Sequence, residues 1–305
     1  MDPVRKRLWA VVALVCVAAL AACGSNSSSP STGTSTSGSV STTKANPAVE
    51  KLVPASIKSK GTLTVAADAT YAPDESIGPD GHTVVGMDAD LAQALGAVMG
   101  LKVTVVNATF ATIIPGLTGG KYDLGASSFT DTKAREKVVD FVDYFRAGES
   151  FFTKASGGTS VTGLAGLCGL SVSVETGTVE ESDAKGQSSK CMAAGKKPVN
   201  VLSYPTQTAA NLALNSGRAQ VGMADSQIVA YQIKKSNGGL KLTGKSYGFA
   251  PYGLAVPKSP ALAPAVLAAL KALVQDGTYM SILQKWGIQS GGIPVSEMKI
   301  NGATS

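Results

Sequence analysis

Few side chains in this sequence could carry out chemistry. The single histidine, His82, sits in the polar turn Asp80-Gly81-His82-Thr83. The chain has no nucleophile–histidine pair, phosphate-cradling glycine loop or metal-ligand spacing, so any acid–base catalysis would fall to carboxylates such as Glu175 or Glu180. Binding chemistry remains. Arg135 offers a planar guanidinium fork that matches two carboxylate oxygens, though next to Glu136 it could also be a surface arginine. Asp225 stands where an apolar strand ends and a helix begins; it can cap that helix, meet a cation, or do both. Gly177-Thr178-Val179 opens another helix, whose first N–H groups favour an anion. Tyr71 and Phe110 supply aromatic faces, either for a ligand or for core packing. Asp68, Glu75, Glu175 and Glu180 are further acids, although acids in turns and first helical turns are common for structural reasons. An anion clamp, a cation clamp and a side-chain pocket are what a zwitterion requires.

The elements that must position these groups read as α/β, with apolar strands alternating with helical patterns from about residue 52. Strands are expected at 61–67, 101–106 and 122–128. An amphipathic helix is expected over 88–99, where Met87, Leu91, Leu95 and Val98 repeat at helical spacing, and a shorter one over 110–117, stopped by Gly119-Gly120. A short helix over 132–138 would carry Arg135. A second α/β block starts near 152, with strands at 170–174, 199–203 and 219–224. Its helices open at Gly177-Thr178, at Thr206 and at Asp225. After Tyr247 the pattern returns to strand, then to helices over 261–275 and 276–286. A body of this length is long for a single core and predicts two lobes.

The segment Gly86-Met87-Asp88-Ala89-Asp90-Leu91-Ala92-Gln93-Ala94-Leu95 resembles the signature of family 3 extracellular solute-binding proteins, with Met87 and Ala89 as mild departures. Further segments match in the same order: Asp68 to Pro73, Ser127 to Thr130 with Arg135, Val174 to Thr178, Arg218 to Asp225, and Asp276 to Tyr279 with Lys285-Trp286-Gly287. The similarity spans about 55–290. It implies a two-lobed type II periplasmic-binding-protein fold with two hinge strands, lobe 1 being 52–149 plus 250–290, lobe 2 150–249, and 291–305 a C-terminal tail. The hinge would lie near 148–153 and 247–251. The ligand would be an amino acid, polar or cationic, delivered to the permease of an ABC importer by a monomeric protein without a cofactor. The resemblance implies Arg135 for the carboxylate, with Thr178 and Val179 reaching it from lobe 2. It implies Asp225 for the ammonium, with Ser128 and Thr130 adding hydroxyl or backbone contacts. Val179 replaces a hydroxyl residue often seen there, which leaves only a backbone contact. Tyr71 and Phe110 would be walls and Asp68 a partner for the ligand tail. Two other readings use the same fold: a lipoprotein that senses its ligand for a membrane receptor, and a dehydratase-like enzyme.

Arg5-Lys6-Arg7 followed by the apolar run Leu8 to Leu20 reads as an export signal, too short to span a bilayer. Leu20-Ala21-Ala22-Cys23 resembles a bacterial lipobox. This implies a signal peptide at 1–22, a lipid on Cys23 and a place on the outer face of the cell membrane, periplasmic if an outer membrane is present. Residues 23–51 are rich in Ser, Thr and Gly and form a tether too polar to bury a core. Removing the signal takes Lys+Arg from 27 to 24 and Asp+Glu from 21 to 20, a mild +4 with no basic run suited to nucleic acid. Cys168 and Cys191 then remain as an even pair in an oxidising compartment, expected to form a disulfide, the alternative being two buried thiols.

Overall fold

The computed structural model describes residues 43–304; the expected signal segment, Cys23 and most of the tether lie outside them. Two short helices, α1 (Pro47–Glu50) and α2 (Ala55–Lys60), lead into β1 (Thr62–Ala67). Next come β2 (Thr70–Tyr71), β3 (Glu75–Ile77) and β4 (Val84–Val85), which form a small antiparallel sheet of their own. The chain continues through α3 (Met87–Val98), β5 (Lys102–Asn107), α4 (Phe110–Thr118), β6 (Leu124–Gly125) and the single turn α5 (Lys133–Glu136). It then crosses along β7 (Asp140–Lys154) to β8 (Ser171–Glu175), α6 (Val179–Ala193), β9 (Asn200–Tyr204), α7 (Gln207–Asn215), β10 (Val221–Asp225) and α8 (Ser226–Lys235). It returns along β11 (Leu240–Val256) and ends in α9 (Ala263–Gln275) and α10 (Thr278–Trp286).

The main sheet has the order β5-β1-β6-β11-β7-β10-β8-β9. The two long strands β7 and β11 are antiparallel neighbours in its middle and serve both halves. The end of β11 pairs with β6 in the first half, and the end of β7 pairs with β10 in the second. Their mutual register slips between Thr243 and Tyr247 and again between Tyr247 and Ala250, which is where the halves meet. Outside this seam the strands run parallel: β1 with β5 and β6, β8 with β9 and β10. This is the expected two-lobed α/β fold with two crossing strands.

Parallel strands covered on both faces need near-continuous apolar sequence. In β1, Leu63, Val65, Ala66 and Ala67 are fully buried. Against Leu63 and Val65 packs the face of α3 formed by Met87, Leu91, Leu95 and Val98; truncating one such leucine to alanine costs about 2–5 kcal/mol. The second half has a separate core of Phe151, Leu167, Val172, Val174, Val221 and Met223. Cys191, from α6, reaches Cys168 with their Cα atoms 5.7 Å apart and is disulfide-bonded to it.

Three expectations need correction. The tether expected over 23–51 ends earlier, because Asn46 caps α1 and Val49 is buried in the first core. The strand expected over 122–128 shortens to Leu124–Gly125, because Ser128 turns away with φ 50° while its N–H donates to the buried Asp88 Oδ2 at 2.7 Å. The return strand begins at Leu240, well before Tyr247.

Candidate ligand site between the two halves of the sheet

The two acids of the signature segment explain how the site is built, although neither lines it. Asp88 is fully buried, accepting hydrogen bonds from the Ser128 N–H and from Tyr144 Oη at 2.6 Å. It thereby fixes the turn that leads to Thr130 and Arg135. Asp90 accepts from Lys285 Nζ and Trp286 Nε1, both at 2.7 Å, tying α3 to α10.

Between the halves lies a narrow pocket. Asp68, Tyr71 and Phe110 come from the ends of β1, β2 and the start of α4, and Ser128, Thr130 and Arg135 from the turn after β6. Across the cleft, Thr178 and Val179 stand at the start of α6, and Asp225 at the end of β10. All nine residues expected to bind line this one pocket. Glu75, Ser127, Glu175 and Glu180 join them. Gly177, which precedes the α6 N-terminus, has φ 87°, and a Cβ there would lie 3.1 Å from that of Ala111, so only glycine lets the halves approach this closely.

The halves are latched by polar contacts. Tyr71 Oη donates to Asp225 Oδ2 at 2.7 Å and accepts from the Asp225 N–H at 3.1 Å. Arg135 Nη2 reaches the Gly177 carbonyl at 2.9 Å, while Nη1 donates to the Thr130 carbonyl at 2.7 Å. Gln227 Nε2 donates to Asp74 Oδ2 and Tyr252 Oη, and the Gln207 N–H to Thr70 Oγ1. Arg135 lies 5.5 Å from the Phe110 ring centroid and 5.6 Å from that of Phe129, and those two rings stack at 4.5 Å. A platform of this kind orients the guanidinium and leaves N–H groups for an anion.

The electrostatics are one-sided: five carboxyls line the pocket against one guanidinium. Asp68 is held in place, its Oδ1 accepting from Thr70 Oγ1 at 2.6 Å and its Oδ2 from the Phe110 N–H at 2.8 Å. Glu75 Oε1 accepts from Ser127 Oγ. By contrast, Glu175 Oε1 and Glu180 Oε1 are buried with no hydrogen-bond partner. Burial, then the charge of Asp68, pushes the Glu175 carboxyl up to about 10. Burial, then Asp225 and Glu149, pushes Glu180 well above the usual carboxylate range. Asp225 rises to about 6 because it is buried, an effect that Tyr252, Tyr71 and Arg135 oppose. Each shift marks a place where a cation would be stabilised.

Several sequence expectations change in detail. Asp225 occupies the N-cap position of α8 but makes no side-chain capping bond; its carboxylate turns to Tyr71 instead. The Ser128 hydroxyl is spent inward on Asp74 Oδ2 at 2.8 Å and its N–H on Asp88, leaving its carbonyl for the cleft. The Thr178 hydroxyl donates to the Glu175 carbonyl and accepts from the Glu181 N–H, so it caps α6. Val179 is the first residue of that helix. Glu175 and Glu180 were legible as acids near the cleft, but nothing in the sequence says that they face it. Glu180, in the first turn of α6, carried the better signal: a helix opening aimed at an anion clamp puts its early side chains at the site.

The sequence between residues 63 and 289 matches the model of the bacterial extracellular solute-binding proteins, family 3. The arginine-binding protein ArgT of Corynebacterium glutamicum is 36% identical over 246 residues, 80% of each chain. The ABC transporter glutamine-binding protein GlnH of Bacillus subtilis is 30% identical over 283 residues, covering 91% of this chain and 95% of its own. A solved ancestral arginine-binding protein bound to arginine superposes with a TM-score of 0.68 at 34% identity, covering 74% of this chain and 98% of its own. On sequence, fold and cleft together, this chain belongs to family 3 of the bacterial extracellular solute-binding proteins.

Proposed function

We propose that the protein captures a cationic amino acid, arginine above others, outside the cell and delivers it to an ABC importer. The observation that carries this reading is the excess of pocket carboxyls over Arg135, with Glu175 and Glu180 each keeping a buried oxygen without a partner. Arg135 and the first N–H groups of α6 would hold the carboxylate from opposite sides. Asp225 and the Ser128 carbonyl would take the α-ammonium, and Tyr71 and Phe110 would wall the aliphatic chain. Asp68 and Glu175 would meet the guanidinium. The names of the relatives, which include binding proteins for arginine and glutamine, support the same ligand class.

Residues 52–149 with 250–290 would move as one lobe and 150–249 as the other. A ligand touching both stabilises the closed form through its differential affinity, and the closed form docks on the permease. The lipid on Cys23 and the tether would keep the protein, as a monomer, at the membrane; no described helix is long and apolar enough to cross one.

Thermal unfolding of the purified protein tests the assignment. Arginine at about 100 times its Kd adds about 2.7 kcal/mol, a rise of about 5–10 °C in midpoint. Glutamine should give a smaller rise, and Arg135→Ala should abolish both while still unfolding cooperatively in buffer. A protein that ignores cationic amino acids, or an Arg135→Ala variant that still responds, would overturn the proposal.

A further inference from the structure

The last residues of the chain lie beyond the matched family segment, yet they are anchored to the binding site. After α10, the backbone runs antiparallel to the start of β7: Ile300 bridges to Val142 and Gly292 to Phe145. The Asp143 N–H donates to the Lys299 carbonyl, and the Asn301 N–H to the Phe141 carbonyl, both at 3.0 Å. The Asn301 side chain holds the same strand twice. Its Oδ1 accepts from the Phe141 N–H at 2.9 Å and its Nδ2 donates to Asp140 Oδ1 at 3.0 Å. Met298 and Ala303 are buried.

This segment ends on the turn that carries Arg135. The Ala303 N–H donates to Glu136 Oε1 at 3.1 Å, and Glu136 is the last residue of α5. The other end of the turn is held independently, by the Asp131 N–H on the Pro251 carbonyl and by the bridge from Thr130 to Tyr252. Because α5 is a single turn, its internal contacts are few, chiefly the Thr132 cap on the Arg135 N–H and the exposed Lys133–Glu136 ion pair. Gly302 shows how closely the segment is seated: a Cβ there would stand 1.9 Å from Asp143 Oδ2 and 2.5 Å from Lys299 Cε.

We propose that residues 298–303 are a strap that positions Arg135, so that affinity for the ligand's carboxylate depends on a segment that never touches the ligand. The proposal rests on the reading of Arg135 given above. Glu136 and Gly302 are positioning residues, acting through the turn.

The test compares arginine with agmatine, which keeps the guanidinium and an amine but lacks the carboxylate. Dissociation constants, by calorimetry or by competition, are measured for the intact protein and for Glu136→Ala, Glu136→Gln and Gly302→Ala. Lys133→Ala is the control that removes the ion pair to Glu136 but keeps the Ala303 bond, and it should leave the preference unchanged. The intact protein should prefer arginine by at least about a hundredfold. Glu136→Ala and Gly302→Ala should lower that preference about tenfold or more, mainly by weakening arginine, while agmatine changes by less than about twofold. Glu136→Gln retains the acceptor oxygen and should restore the preference. If arginine and agmatine weaken in parallel, if the preference survives in both disruptive variants, or if Lys133→Ala lowers it as far as Glu136→Ala does, the strap is merely structural and the proposal fails while Arg135 keeps its role. If the intact protein does not prefer arginine, the role of Arg135 fails first and the strap's with it. Should Gly302→Ala not fold, the two Glu136 variants decide between the same outcomes.

Discussion

Replacing Glu175 by glutamine separates the charge of the pocket from its shape. Glutamine keeps the chain length and a donor for Asp68 and removes a carboxyl that rises to about 10 when the cleft is closed, against an ordinary value of 4.5. In an open, wet cleft that carboxyl is ionised at pH 7. Closing over a neutral amino acid therefore takes up a proton, which at pH 7 costs about 3.4 kcal/mol, or about 300-fold in affinity. Closing over arginine recovers part of this cost: a guanidinium about 4 Å away contributes about 4 kcal/mol at an effective dielectric constant of 20, about three pKa units, so the carboxyl stays partly ionised in the closed cleft. The substitution removes both effects. We expect Glu175→Gln to tighten glutamine by as much as about 300-fold and arginine by less, so that the preference for arginine over glutamine falls. Calorimetry at pH 7 with both amino acids reads the ratio directly. In the unaltered protein, glutamine should bind more tightly as the pH falls from 7 toward 5, since its closure consumes protons; Glu175→Gln should flatten that slope without removing it, because Glu149 and Glu180 also rise on closure. An arginine-to-glutamine ratio unmoved by the substitution would refute the argument that this carboxyl sets the charge preference.

Two further outcomes are expected. Burial raises the Glu175, Glu180 and Glu149 carboxyls, the last to about 8, in the closed arrangement. The closed form therefore binds more protons than the open one, and lowering the pH from 7 to 5 should close the protein without any amino acid. Small-angle scattering would show this as a smaller radius of gyration, with no further change in arginine-saturated protein; an unchanged radius on acidification would rule it out. The Cys168–Cys191 disulfide closes a loop across a separation of 23 residues, for which chain entropy predicts about 3 kcal/mol. Cys168→Ser with Cys191→Ser should lower the thermal midpoint by about 6–12 °C, and a shift below about 2 °C would mean that the bridge adds little.

What could be read from the sequence follows its apolar periodicity. The helix at 88–99 and the strand at 61–67 appear almost where expected, because their buried faces are mostly leucine, valine, methionine and alanine, with Asp88 and Gly96 the exceptions in the helix. The strand β7 was legible only at its end: Asp143 and Glu149 are buried acids within it, and they break a pattern that assumes polar residues face water. The first half of β11 is obscured for another reason: it is largely exposed and interrupted by Lys241, Gly244, Lys245 and Gly248. Short motifs located the nine pocket residues, but they could not say which atoms are free. That depends on distant partners, such as Asp74 for the Ser128 hydroxyl and Tyr71 for Asp225. The closing segment carries no periodic signal at all, since its contacts are mostly backbone bonds to β7 and one acceptor on Glu136.

The chain enters and leaves the second half of the sheet at one doorway. Lys154 and Leu240 face each other as a strand pair, and the Ala155 N–H donates to the Gly239 carbonyl at 2.9 Å. Residues 155–239 thus form a cassette whose ends already touch. It carries Glu175, Glu180 and Asp225, whereas Asp68, Tyr71 and Arg135 stay with the host. Exchanging that cassette between relatives would shuffle one wall of the pocket against the other with only two splice points, and the host residues whose packing must be matched are few, chiefly Phe151, Phe152 and Leu240.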